Sequence, residues 1–142
     1  MSITLGEFGI VVGAARTERT MAIEVVREFM DALAHKNFSI INNILSENFL
    51  LTISGNFSFT NMQEFIAFSE TRYSSLQKFT ESFEASESST GIAIYLRGTI
   101  SGAWLDGVTF KGVRFCDRFL VAQGRIFNMQ TWSDLAEYRN LK

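Results

Sequence analysis

The chain has no proline, one cysteine and one histidine in 142 residues. Each scarcity excludes something. A lone cysteine cannot close a disulfide within the chain, and with one histidine it cannot supply the ligand set that zinc takes. A Ser-His or Cys-His triad has only His35 to draw on, and a positive charge at a helix C-terminus explains that residue better. Lysine and arginine form no cluster, and with 13 of them against 15 acidic residues the charge is −2. The electrostatic footprint of a protein that binds nucleic acid or anionic membrane is therefore missing. No apolar run approaches the ~20 residues of a membrane span. The short one from Phe8 to Ala15 lacks the basic flank of a secretion signal. These absences lead to the expectation of a reduced, cytoplasmic protein without metal or cofactor.

What is present fits a folded domain: hydrophobic residues make up 46% and charged ones 20%. A chain of this length buries about two-thirds of its unfolded surface around one core. Residues 1–16 read as an N-terminal arm or helix extension, and 17–142 as a single domain with no repeat or linker. From Thr17, Ile23, Val26, Met30 and Leu33 recur at helical spacing with Glu24, Arg27, Glu28 and Asp31 between them. Ser39 opens a short second helix carrying Ile40, Ile41, Ile44 and Leu45. The run FLLTI at 49–53 predicts a buried strand that Ser54-Gly55-Asn56 terminates. Thr60 and Gln63 have capping-box spacing, and Met62, Phe65, Ile66, Ser69, Tyr73 and Leu76 trace one face of a third helix.

After Gln77 the pattern is strand-like. Phe79 and Phe83 alternate with polar residues, with Glu81 between them on one face. Ile92, Ile94, Leu96 and Ile100 share a face, opposite Tyr95, Arg97 and Thr99. Asp106-Gly107 predicts a turn. In the next strand Val113, Phe115, Asp117, Phe119 and Val121 face one way and Arg114, Cys116 and Arg118 the other. Gln123-Gly124 turns into a strand over 126–131, and 134–140 predicts a short helix. The expected architecture is α+β: three helices packed on a strongly bent, mostly antiparallel sheet, a cone that encloses a cavity.

This order of elements, over residues 20–136, resembles the nuclear transport factor 2-like (NTF2-like) superfamily, which includes steroid delta-isomerases, limonene epoxide hydrolases and SnoaL-like polyketide cyclases. The segment GRIFNMQTWSDL at 124–135 is similar to the closing hairpin of the bacterial steroid isomerases. The resemblance places Asp117 on their oxyanion-hole aspartate. It departs from them elsewhere, with Phe29 at the position of the catalytic Tyr and Ile53 at that of the proton-shuttling Asp, and an alkyl group takes no proton. The epoxide hydrolase positions fall at Arg97, Thr99 and Thr131, without either carboxylate.

Asp117 is therefore the candidate catalytic residue. A carboxylic acid among phenylalanines is kept neutral by desolvation and can donate a hydrogen bond or a proton. The alternative is an Asp paired with a neighbouring Arg, Tyr or Trp inside the sheet. Phe29, Ile53, Phe65, Tyr73, Phe115, Phe119, Met129 and Trp132 are the expected walls of a site for a small apolar molecule bearing an oxygen. Two functions answer to this description: a binder or enzyme of isomerase, dehydratase or cyclase type, and a non-catalytic dimeric scaffold module. The second would associate through the outer sheet face, where Tyr95, Arg97, Arg114, Cys116 and Arg118 give the Arg and aromatic content of an interface.

Overall fold

A computed structural model describes residues 14–140, with side chains described from Glu18 to Arg139. The expected N-terminal arm lies outside the described residues except for its last three, which already belong to the first helix. Two helices, α1 (Ala14–Ala34) and α2 (Phe38–Ile44), lead into β1 (Leu45–Ile53) and the short β2 (Phe57–Phe59). Helix α3 (Met62–Ser69) precedes four long strands, β3 (Tyr73–Ser88), β4 (Gly91–Trp104), β5 (Thr109–Ala122) and β6 (Arg125–Ser133), and α4 (Leu135–Asn140) follows. All six strands form one curled, unclosed sheet in the order β2-β1-β6-β5-β4-β3. Every neighbouring pair is antiparallel except β1 and β6.

Helix α1 crosses the concave face and packs against β3, β4, β5 and β6. Its Val26 and Phe29 are fully buried, as are Leu96, Val113 and Phe119 of the sheet. The Phe29 and Phe119 rings meet edge to face, 5.7 Å apart, which ties α1 to β5. Burying one such ring contributes about 1.5–3 kcal/mol.

The helix starts lie one or two residues from the expected caps. Asn37 caps α2 by accepting from the Ile40 N–H, and Asn61 caps α3 by accepting from the Glu64 N–H. Helix α3 also ends earlier than its apolar spacing predicts. Ser69 Oγ donates to the Phe65 carbonyl at 3.0 Å and Thr71 Oγ1 to that of Phe68 at 2.6 Å. These hydroxyls satisfy the last carbonyls locally and let the chain leave the helix. Tyr73 and Leu76, expected on the helix, instead open β3.

The path of β3 depends on two glycines of β4. A Cβ on Gly98 would collide with the Phe79 carbonyl oxygen, and one on Gly102 with that of Ser75. Only glycine permits so close an approach. The β3–β4 ladder shifts register between Tyr73 and Ser75 and again between Thr80 and Ser82. Between these irregularities Lys78 lies opposite Ile100, flanked on the partner strand by Gly98 and Gly102. The second shift reverses the expected facing of the first half of β3: Phe79 is 55% exposed on the outside, and Lys78 turns inward.

Candidate functional site

At the end of the sheet away from α1, a cavity of about 660 Å³ opens between α3, α4 and the sheet. Its wall is largely apolar, with Ile53, Phe65, Leu76, Ile100 and Trp104. Aromatic contacts hold that wall together: Tyr73 lies 5.1 Å from Trp104, and Phe59 meets Phe65 edge to face at 5.7 Å. A larger groove, about 1020 Å³, runs between α1 and the β3–β4 and β5–β6 turns. It carries Glu18, Glu24, Glu28 and Glu87 and none of the candidate residues, so the chemistry is sought in the smaller cavity.

Among the polar groups that reach that wall from the sheet, one carries a charge. Lys78 lines the cavity and donates from Nζ to Asp117 Oδ2 at 2.8 Å. Asp117 is completely buried, while the Lys78 side chain retains 20% of its exposure. The ammonium also lies 4.6 Å from the centre of the Phe115 ring, a cation–π contact. Asp117 Oδ1 has no hydrogen-bond partner among the described residues. An ion pair in such surroundings owes its survival to close geometry, because desolvation opposes it.

Asp117 thus faces the interior but does not reach the cavity wall, and the group that does is its partner Lys78. The charged atom at the cavity wall is Lys78 Nζ, with Asp117 behind it as its ion-pair partner. Where Asp117 was expected at the cavity wall, Lys78 stands instead, and the neighbour that pairs with Asp117 is a lysine, not Arg, Tyr or Trp.

The expected walls divide into three groups. Ile53, Phe65 and Tyr73 line the cavity. Phe29, Phe115, Phe119 and Met129 are core residues that do not reach it, because α1 closes that end of the concave face. Trp132 is on the other side of the sheet. The register pairs Trp132 with Cys116 and Thr131 with Asp117, so alternation sends Trp132 outward, 48% exposed, and Thr131 inward to the cavity. Glu81 is exposed and pairs with Arg97 at 3.5 Å. His35 is exposed at the end of α1, its ring nitrogen 2.9 Å from the Asp31 carbonyl oxygen. Asp134 pairs with Arg114 at 2.7 Å.

The cavity lip carries charge that sequence reasoning missed. Arg139 of α4 grips Asp106 of the β4–β5 turn with two bonds, 2.6 and 3.4 Å, and its guanidinium lies over Trp104. Hydrogen bonding to Arg139 holds the Asp106 carboxyl below its ordinary range. Arg72, just past α3, lies over the Phe68 ring at 4.5 Å. Burial pushes the Tyr73 phenol up, against the opposing pull of the Arg72 charge beside it, so Tyr73 is a hydrogen-bond donor at neutral pH. On the outer face burial, then Asp117 and Glu84, push the Cys116 thiol up, which leaves it a poor nucleophile. Among the described residues no three His, Cys, Asp or Glu side chains converge as a metal site, and no helix is long and apolar enough to cross a membrane.

A curled sheet around a cavity, with β1 parallel to β6 and helices on the concave side, is the NTF2-like fold. Solved structures of that fold match nearly the whole domain. An NTF2-like protein of unknown function from Burkholderia pseudomallei K96243 superimposes with a TM-score of 0.70 at 20% identity, over 85% of this chain and 96% of that one. TerC, co-crystallised with polyporic acid, gives 0.71 at 14% identity over 85% and 97%. A protein described as a SnoaL-like polyketide cyclase from Jannaschia sp. CCS1 gives 0.66 at 16% identity over 87% and 92%. No family model matches the sequence, and no curated protein matches it.

Proposed function

We propose that the chain binds a small, mostly apolar molecule bearing an oxygen, with Lys78 as the donor to that oxygen and Asp117 as the charge that holds Lys78 in place. The observation that carries this reading is the 2.8 Å Lys78–Asp117 pair at the wall of an otherwise aromatic and aliphatic cavity. Ionic pairs are costly to bury and contribute little net stability. A donor fixed in an apolar hollow is the arrangement that polarises a carbonyl and stabilises the oxyanion that develops when it enolises. Tyr73 is a second donor on the same wall. Such a donor polarises a bound carbonyl, and enolisation of it would require a ligand or solvent base to take the α-proton. No cavity-lining carboxylate is free to act as base among the described residues, since Asp106 is held by Arg139. Similarity to a SnoaL-like polyketide cyclase and to a protein co-crystallised with polyporic acid supports a ligand of this kind.

The outer sheet face supports the second reading, a dimer of this chain. Phe79 and Trp132 are exposed there beside Tyr95, Arg97, Arg114 and Arg118. Glu84 on β3 and Arg118 on β5 have no ion-pair partner among the described residues, so a second copy rotated by two-fold symmetry can meet acid with base.

The test of the ligand reading is a thermal-shift screen of lipophilic ketones, lactones and quinones against the wild type and Ala136→Trp. Position 136 is an exposed site at the cavity lip where an indole obstructs entry without disturbing the core. Compounds that raise the wild-type melting temperature and lose that effect in the variant support the reading. Absence of any stabiliser, or stabilisation that the indole leaves intact, contradicts it.

A further inference from the structure

Three cations reach the cavity wall, Lys78, Arg72 and Arg139, against a single acidic residue, Asp106. Their counter-charges differ. Lys78 is paired with Asp117, and Arg139 with Asp106. Arg72 has no carboxylate within ion-pair distance among the described residues. Its sequence neighbour Glu70 is engaged elsewhere, 3.4 Å from Lys36. Among the described residues, the cavity therefore has one cationic fork without an ion-pair partner.

That fork is held in place. The Arg72 N–H donates to the Ser69 carbonyl at 2.9 Å, and its own carbonyl accepts from the Leu105 N–H at 3.1 Å, which pins the residue between α3 and the β4–β5 turn. The guanidinium rests over two rings, 4.5 Å from the centre of Phe68 and 5.4 Å from that of Phe57. The Arg72 side chain also hydrogen-bonds the Tyr73 hydroxyl, and a guanidinium has five N–H donors, so others are left for a carboxylate, which a guanidinium can bind with two parallel bonds. The ring-lined wall beyond it suits an apolar body.

We infer that the ligand of this cavity is a carboxylic acid with an apolar, ring-sized body, whose carboxylate is bound at the lip by Arg72. The inference rests on the reading of the cavity as a ligand site and specifies what that ligand carries. Arg72 determines specificity here. Lys78, deeper in, meets a second oxygen of the same molecule.

The test compares naphthoate with its uncharged isostere naphthamide, by calorimetry on the whole chain. The wild type binds naphthoate roughly tenfold more tightly or better, the effect of a charge-assisted bidentate contact, and the preference shrinks as salt is added. Arg72→Gln lowers naphthoate affinity about tenfold more than it lowers naphthamide affinity, abolishing the preference. Arg72→Lys retains part of it, having the charge without the fork; it also serves as the second variant if the glutamine form fails to fold. Equal wild-type affinity for the two probes, or a preference that survives Arg72→Gln, overturns acid selectivity while leaving the cavity a ligand site. Binding of neither probe overturns both.

Discussion

Lys78→Met keeps most of the side-chain volume, removes the charge and strands a carboxylate. Asp117 is fully buried, its Oδ2 loses the partner at 2.8 Å, and its Oδ1 has no other among the described residues. Deleting one member of a buried ion pair costs about 3–5 kcal/mol. For a domain of this size that corresponds to a fall in Tm of roughly 10 °C or more. Asp117→Leu alone costs less, because the Lys78 side chain, 20% exposed, can turn its ammonium toward water in the cavity. The double variant removes both charges and fills the space with apolar atoms, an exchange that is often neutral or stabilising. It should recover most of what Lys78→Met loses. The assay is urea unfolding followed by far-ultraviolet circular dichroism, closed as a double-mutant cycle. A cost below about 1 kcal/mol for Lys78→Met, a value typical of exposed pairs, refutes the reasoning. So does simple additivity of the two single changes.

Gly98→Ala puts a methyl group into the Phe79 carbonyl and should lower stability by about 1–3 kcal/mol; an unchanged melting temperature would show that β3 and β4 can separate there without loss. Tyr73, as the difference between wild type and Tyr73→Phe in ultraviolet absorbance, should titrate above the ordinary 10.0. Because the folded-state value is raised, the stability linked to its proton is present below the unfolded value and is lost as pH rises through the folded one. Arg72→Gln should move that midpoint further up by removing the opposing charge. Arg114→Glu combined with Arg118→Glu should convert a dimer to a monomer in light scattering, and an unchanged mass counts against the outer face as the interface.

The strands of the second half were the most legible part of the chain. Alternation from Val113 to Val121, with turns at Asp106-Gly107 and Gln123-Gly124, placed β5 and its inward face, Asp117 included. Local irregularities were not legible. The shift between Thr80 and Ser82 inverts half of β3, so a reading anchored on Phe79 and Phe83 on one face gives no reason to single out Lys78, the residue that completes the pair. Nothing in the composition around Lys78 marks a bulge; the nearest signal is on the partner strand, where Gly98 and Gly102 stand four apart in a strand that otherwise alternates apolar residues inward. The end of α3 was missed for a similar reason. Apolar spacing carries on through Tyr73 and Leu76, while the competing signal is the two hydroxyls of Ser69 and Thr71. The Arg139–Asp106 contact joins residues 33 apart in sequence, a proximity that only the tertiary fold creates.

The central claim is that a ligand enters between α3 and α4 and meets Lys78. A heteronuclear NMR titration with a stabilising compound tests it most directly, with resonances assigned for Ile53, Ile100, Thr131 and the Lys78 ammonium. Shifts concentrated on those groups, with Met21, Val25 and Ile92 of the acidic groove unmoved, are the expected result. A response centred on the groove, with Lys78 silent, would contradict the account.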